Sequence, residues 1–308
     1  FQWRTSKVLE KWPITDTNIP SRIAQSICVF DYTKDRAKAE AYRKADVPFV
    51  IRNYPVLMEA VARWQDPDHV EKLLDVENRT YFLQRSNTYE FVWWNPSAVE
   101  KPEGWKEPTK TKRVTYSEYL DIVKRKRDVS YKTTHYHLFV EGYWSHYDPE
   151  YKWHLFEDFP FFMPGTKNVY HELYEMPHQL LSCSFTTKGS ANRMGFDMMS
   201  NMPVVMKGHK RFLVASPEYC KQHDLFPAAH PSAKQTKVDW RQTDDFPENW
   251  GARMSEVILQ PGDALFLPNY FMFAGQSLSP DVIECGAKST RTTNRNSMLE
   301  ECGDWLME

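Results

Sequence analysis

Apolar and polar side chains alternate along two long stretches of the chain, residues 193–217 and 257–278. Both stretches are rich in apolar, β-branched and aromatic residues, and a tight turn interrupts each of them, at residues 207–210 and 260–263. Glycine permits the positive φ that such turns use, and proline presets the first central residue. The pattern predicts facing strands of one barrel, at residues 194–205, 210–215, 264–267 and 271–275.

Shorter periodic segments surround this barrel. Asp66, followed by Pro67, is the pattern that begins a helix. Aromatic residues crowd a predicted hairpin whose turn is at Ser86-Asn87, which favours a sheet with one buried face. The predicted helices are residues 35–44, 58–64, 67–75 and 117–127. The predicted strands are residues 47–54, 81–84, 89–94, 135–140, 179–185 and 281–287.

The remaining segments lack periodicity. Residues 218–253 form a long excursion, which we expect to be an ordered insert on the surface because ordinary connections are much shorter. Residues 1–22 are expected to be an N-terminal arm and residues 23–289 a single domain. Residues 290–308 are expected to be a polar linker and a short C-terminal helix with a capping box, and the polar, basic composition of the linker spans residues 288–296. The predicted class is mainly β with peripheral helices.

The composition of the chain limits the partners and the cellular location that we expect for the protein. The chain has 308 residues, 41% of them hydrophobic, and a formal net charge of −2, which predicts no nucleic-acid partner. No apolar run approaches the roughly 18 residues of a transmembrane helix. Five scattered cysteines without a C-x-x-C pair indicate reduced thiols and an intracellular location, cytoplasmic or organellar. Because the chain begins at Phe1 rather than Met, a removed mitochondrial leader is compatible with the sequence.

The two barrel stretches carry recognisable motifs. The first contains Gly195-Phe196-Asp197, then Asn201 and a Gly-His-Lys-Arg run at 208–211. The second contains Pro-Gly-Asp-Ala-Leu-Phe-Leu-Pro at 261–268. Together with Asp-Phe-Pro at 158–160, they resemble the JmjC family of cupin-type barrels, which use Fe(II) and 2-oxoglutarate to hydroxylate or demethylate. The resemblance implies a double-stranded β-helix barrel.

The resemblance also implies that the metal site is degenerate. The family has His-x-Asp where this chain has Gly195 and Asp197, and its distal histidine falls at Phe273. A facial triad holds Fe(II) with two imidazoles and one carboxylate. Glycine has no side chain and phenylalanine has no lone pair, so one ligand remains. We therefore expect no metal and no cofactor.

Other family positions keep polar residues. Lys210 matches the lysine that binds the distal carboxylate of 2-oxoglutarate in many JmjC hydroxylases, and Asn201 matches a polar residue of the same pocket. Asn192 stands where hydroxylases often have a co-substrate-binding Thr. A solvated hairpin lysine is the alternative for Lys210. If it is buried near Asp197, the hypothesis is that the two groups pair directly or through Asn201 or water.

A histidine pair and a basic run each allow both a structural and a functional interpretation. His135 and His137 lie two residues apart, so a strand places both on one face, as in a partial metal site. Because neither aligns with a metal position of the family, we favour a structural role. Residues 124–127 are a basic run, which fits either cations at a helix C-terminus, the interpretation we favour, or a nuclear-import or phosphate contact.

These observations predict a catalytically inactive JmjC-like barrel that serves as a structural or interaction module, with protein partners or a larger complex. One alternative is an Fe(II)/2-oxoglutarate oxygenase whose missing ligands come from His209 or His137. If Lys210 points into the barrel, however, strand geometry points His209 outward. The other alternative is a metal-free sensor that binds 2-oxoglutarate or another dicarboxylate through Lys210 and Asn201.

Overall fold

Alternating apolar residues form two β-sheets in the computed structural model, which describes residues 27–76, 79–98, 101–127, 134–145, 154–162, 178–240 and 254–289. The expected N-terminal arm, residues 1–22, and the expected linker and helix beyond residue 289 lie outside these residues. The strands are β1 Cys28–Asp31, β2 Phe49–Arg52, β3 Tyr81–Ser86, β4 Glu90–Phe91, β5 Lys110–Val114, β6 His135–Ser145, β7 His178–Thr187, β8 Ala191–Asn192, β9 Gly195–Phe196, β10 Ser200–Lys207, β11 Lys210–Ala215, β12 Met254–Leu259, β13 Ala264–Phe266, β14 Met272–Ser277 and β15 Asp281–Ser289.

The two sheets form the double-stranded β-helix that was predicted. Within the described residues, the larger sheet has the order β1-β2-β13-β10-β15-β7-β6-β3-β5, and the smaller has the order β12-β11-β14-β8-β4, with β9 added to β14. Most neighbouring strands are antiparallel; the pairs β1–β2 and β4–β8 are parallel. From β7 onward the chain passes repeatedly between the two sheets, with β7, β10, β13 and β15 in the larger sheet and the strands between them in the smaller sheet, so it winds around one interior.

Helices cover the outer face of the larger sheet. They are α1 Tyr32–Lys44, α2 Pro55–Trp64, α3 Pro67–Leu74, α4 Tyr116–Arg127 and α5 Leu155–Asp158. Asp66 caps α3 by accepting a hydrogen bond from the backbone N–H of Asp68, as predicted. Leu57, Trp64 and Leu74 bury their side chains in the core between helices and sheet. Among the described helices, none combines the length and apolar character needed to cross a membrane.

Alternation along the strands sorts residues between this outer core and the barrel interior. In β11, Phe212 and Val214 point inward, where they pack with Val257, Leu259 and Leu265. Their neighbours in β11 face outward and pack beneath Trp240. Because side chains alternate with a period of two, every second residue of β11 points into the barrel interior. Phe212 and Val214 belong to an apolar cluster there.

The two predicted turns connect strands as expected. Gly208 has a φ of 77°, and a Cβ there would lie 2.4 Å from the carbonyl oxygen of Asp281, so only glycine fits. In the second turn, Asp263 is fully buried and accepts two hydrogen bonds from Arg52, at 2.6 Å from Nε and 2.7 Å from Nη2. This clasp joins β2 to the turn before β13.

Three sequence predictions are wrong. The predicted hairpin does not form: β3 pairs with β5 and β6, whereas β4 crosses to the smaller sheet and pairs with β8. Strand β5 lies where no strand was predicted, because the segment is polar; it forms because its backbone completes the edge of the larger sheet. Lys288 belongs to β15 rather than to a linker.

The cysteines also depart from expectation. Cys183 and Cys285 form a disulfide between directly opposed residues of β7 and β15. Their separation of 102 residues along the chain hides this pairing from sequence inspection. Cys28 is an exposed free thiol. The expectation of reduced thiols is wrong for the disulfide pair, so the cysteines no longer indicate a reducing compartment.

Candidate functional site

Strand β14 connects five of the six candidate positions at one end of the barrel, and the sixth, Asn201, lies on β10 and lines the same cavity as Lys210 and Phe273. Strand β14 pairs with β9, placing Gly195 directly opposite Phe273, and with β8 and β11, which carry Asn192 and Lys210. Asp197 follows β9 immediately. The two positions where the JmjC family has histidines are therefore neighbours across one ladder, as the resemblance implies.

The space beside Gly195 is already filled. A Cβ on this residue would lie 2.7 Å from the carbonyl oxygen of Lys234 and 2.9 Å from Cγ of Gln235. The backbone of the excursion pairs with β9 here: the N–H of Phe196 donates to the Lys234 carbonyl at 3.0 Å, and Gly195 bridges to Gln235. No side chain, and no imidazole, fits at this position without displacing that backbone.

Each carboxylate oxygen of Asp197 accepts a hydrogen bond. Its Oδ1 accepts a hydrogen bond from the backbone N–H of Met199 at 3.1 Å, and its Oδ2 accepts one from Nζ of Lys288 at 2.6 Å. The latter is an ion pair between partly buried groups. The remaining family ligand is therefore neutralised by a residue that the sequence assigned to a linker.

Lys210 has a different partner. Its Nζ lies 2.9 Å from Oε2 of Glu284 in β15 and 5.4 Å from the centre of the Phe212 ring. Gly275 makes room for the lysine, since a Cβ there would lie 2.8 Å from Lys210 Cε. The hypothesis that Asp197 and Lys210 pair with each other is wrong, because each finds an opposite charge on β15.

The two candidate asparagines bind backbone. Asn192 accepts from the N–H of Gly275 at 2.8 Å and donates to the carbonyl of Arg193 at 3.2 Å. Asn201 donates to the carbonyl of Met199 at 3.0 Å. Both side chains thus hold loops and strands of the barrel in place.

A family model described as a cupin-like domain matches residues 35–285. The chain belongs to the cupin-like domain family. This match covers most of the chain and both barrel stretches, and it confirms the family suggested by the motifs.

A cavity of about 200 Å³ remains at this end of the cupin-like barrel. Its lining comes from both sheets and includes four of the six candidates, Asn192, Asn201, Lys210 and Phe273, together with His137. The sequence analysis missed the other polar and charged residues of the lining, which are Ser182, Ser184, Glu284 and Lys288. Glu284 and Lys288 lie four residues apart on one face of β15, and buried Cys285 and Ala287 lie on the other. A partial signal existed, because Glu284 is a charged residue inside the predicted strand 281–287.

His137 is the unpaired member of this cavity. Its Nε2 is buried and has no hydrogen-bond partner among the described residues, while its ring packs edge-on against Phe91 and Phe139. Burial, and secondarily the positive charge of Lys210, lower the pKa of His137 to about 3. The imidazole is therefore neutral at ordinary pH. His209 does not supply a second histidine ligand. Its ring lies beside Ser279 and does not line the cavity.

The residues of this cupin-like domain do not fit an Fe(II) facial triad. The first histidine position is closed by the Lys234 carbonyl, the second is a phenylalanine, and the carboxylate is held by Lys288. The described residues contain no cluster of three or more His, Cys, Asp or Glu able to hold a metal ion. One neutral imidazole next to a lysine is a poor substitute, because the ammonium repels a cation.

Proposed function

We propose that this cupin-like domain is a catalytically inactive barrel, retained as a packing and interaction module within a larger assembly. The observation that carries the proposal is the Lys234 carbonyl over Gly195, because it closes the metal position with backbone rather than with a movable side chain. The ion pairs of Asp197 and Lys210 support it: the charges that a metal and co-substrate would neutralise are balanced internally.

Iron loading tests this proposal. Purified protein is incubated anaerobically with Fe(II), freed of loose metal, and analysed for iron and for turnover of 2-oxoglutarate. We expect no stoichiometric iron and no turnover. The matched variant Gly195→His with Phe273→His should also remain without iron, since the first histidine meets the Lys234 backbone. One iron per chain that disappears in Asp197→Ala would refute the proposal.

The dicarboxylate sensor is the competing function, since Lys210 does face a cavity. A dicarboxylate would have to displace Glu284 from the lysine and leave that carboxylate without its cation. We therefore expect millimolar 2-oxoglutarate to leave the melting temperature unchanged. A rise of several degrees that is abolished in Lys210→Met would favour the sensor instead.

A further inference from the structure

A second, larger cavity lies on the larger sheet, between helix α4 and the strands β3 and β5. Its volume is about 630 Å³, and Leu83, Ile122 and Tyr136 provide its apolar surface. Around them stand four cations and two carboxylates: Arg85, Lys110, Lys112, Arg125, Glu118 and Asp121. We call this cavity the basic groove.

The two carboxylates of the basic groove interact with residues of α4 or of the segment just before it. Glu118 accepts a hydrogen bond from the backbone N–H of Thr115 at 2.9 Å, at the start of α4. Asp121 lies 3.7 Å from Arg125, one helical turn later. In contrast, Lys110 and Lys112 are exposed and form no ion pair with any residue in the described ranges. The groove is therefore positive, although the whole chain has a net charge of −2.

The backbone beside these lysines is available for pairing. Strand β5 is the last strand of the larger sheet, and within the described part of the chain its outer edge pairs with no other strand. Lys110 and Lys112 lie two residues apart, so both face the groove, roughly 7 Å from each other along the strand. Arg113 belongs to the opposite face, where its guanidinium stacks on Phe82 at 4.1 Å.

An open sheet edge can bind an extended peptide as an additional strand, with main-chain hydrogen bonds for affinity and alternate side chains for selectivity. Lysines on an edge repel neutral or basic strands, which protects against aggregation. The same lysines attract a strand that carries carboxylates at matching positions. A nucleic acid fits less well, because the basic surface is short and the chain as a whole is negative.

We propose that the basic groove docks an acidic, extended segment of a partner protein by strand addition to β5, with carboxylates at every second residue facing Lys110 and Lys112. This inference rests on the interaction role proposed above and supplies the chemistry of the partner. The docking proposal does not depend on whether the barrel binds a metal ion. The iron-loading and peptide-binding experiments therefore have independent outcomes.

The test is fluorescence anisotropy with the full chain and a short labelled peptide of alternating Glu and Val, against a Gln-Val peptide of equal length. We expect the acidic peptide to bind and the neutral one to bind at least about tenfold more weakly. The variant Lys110→Gln with Lys112→Gln should weaken acidic-peptide binding by a similar factor. A control of equal charge change away from β5 and the groove, Lys72→Gln with Lys106→Gln, should leave it within about twofold.

Backbone pairing is tested with the same peptide methylated on alternate backbone nitrogens, which should abolish binding if the peptide adds as a strand. No binding of the acidic peptide, equal weakening by both double variants, or undiminished binding of the methylated peptide would each overturn the proposal. A duplex oligonucleotide that binds more tightly than the peptide, through Lys110 and Lys112, would overturn it in favour of a nucleic-acid surface. Circular dichroism melts verify that the variants are folded.

Discussion

The two ends of the barrel interior are built from the same strands but by opposite means. At one end Val214, Val257 and Leu259 exclude water with apolar surface. At the other, two ion pairs and a neutral histidine line a cavity. Apolar burial stabilises without geometric precision, whereas buried charges stabilise only while each keeps its partner. The comparison separates a region held together by apolar packing from a region whose stability depends on paired charges.

The largest effect is expected from the apolar end. Leu259→Ala removes a fully buried side chain from the packed interior, and we expect a loss of about 2–5 kcal/mol in the free energy of unfolding. Denaturant titration measures it. Val56→Ala, on the exposed side of α2, is the control and should change stability by less than about 0.5 kcal/mol. Equal losses in the two variants would contradict the assignment of this end as the core.

A smaller effect is expected at the inner ion pair. Glu284→Gln leaves Lys210 without its carboxylate, and we expect a loss of about 1–3 kcal/mol. Adding Lys210→Met should restore part of that loss, which a double-mutant cycle measures. Asp224→Asn, which removes the exposed pair with Lys237, is the matched control and should cost about 0–1 kcal/mol. A cycle with no coupling energy would mean that the pair does not stabilise the barrel.

Acid should weaken the polar end through His137. Its pKa is lowered from 6.5 to about 3 on folding, so the unfolded chain binds a proton that the folded chain does not. The stability contributed by the neutral imidazole is present above pH 6.5 and is lost as the pH falls toward 3. We expect wild type to lose up to about tenfold in its folding constant per pH unit relative to His137→Gln. Parallel pH profiles of the two proteins would contradict this.

The smallest effect is expected at the outer ion pair. Lys288 and Asp197 are 30% and 21% exposed, and Asp197 keeps its hydrogen bond from Met199 without the lysine. We expect Lys288→Met to cost at most about 1 kcal/mol. Because exposed pairs are screened, the cost should shrink at high salt. A loss larger than that of Glu284→Gln would reverse the order of the two pairs.

The sequence predicted the barrel well because its strands and turns carry local signals. Alternation identified β11, β13 and β14, and the turn glycine at 208 and the Pro-Gly-Asp turn before β13 were visible as motifs. The predicted strand 194–205 is in fact two strands, β9 and β10, which belong to different sheets. Strand β5 was missed because edge position, not composition, makes it a strand. The hairpin was wrong because strand pairing depends on which sheet each strand joins, and that choice is not local.

The candidate site was predictable in its positions and not in its contacts. Motif spacing located Gly195, Asp197 and Phe273, and the structure brings them together. The partners could not be found from spacing: Glu284 and Lys288 lie on β15, and the Lys234 carbonyl arrives from an aperiodic excursion. Which opposite charge a buried group finds depends on the three-dimensional register of strands far apart in the chain.

The clasp between Arg52 and Asp263 affects how the protein is made. The two residues are 211 positions apart, and β2 must wait for β13 before its inner neighbour in the sheet exists. At a ribosomal rate of about 5–20 residues per second, that interval lasts roughly 10–40 seconds. During it, the apolar strand Phe49–Arg52 has only its parallel partner β1 and its helices for cover. The inner edge of β2 therefore stays unpaired until the second barrel stretch has been synthesised.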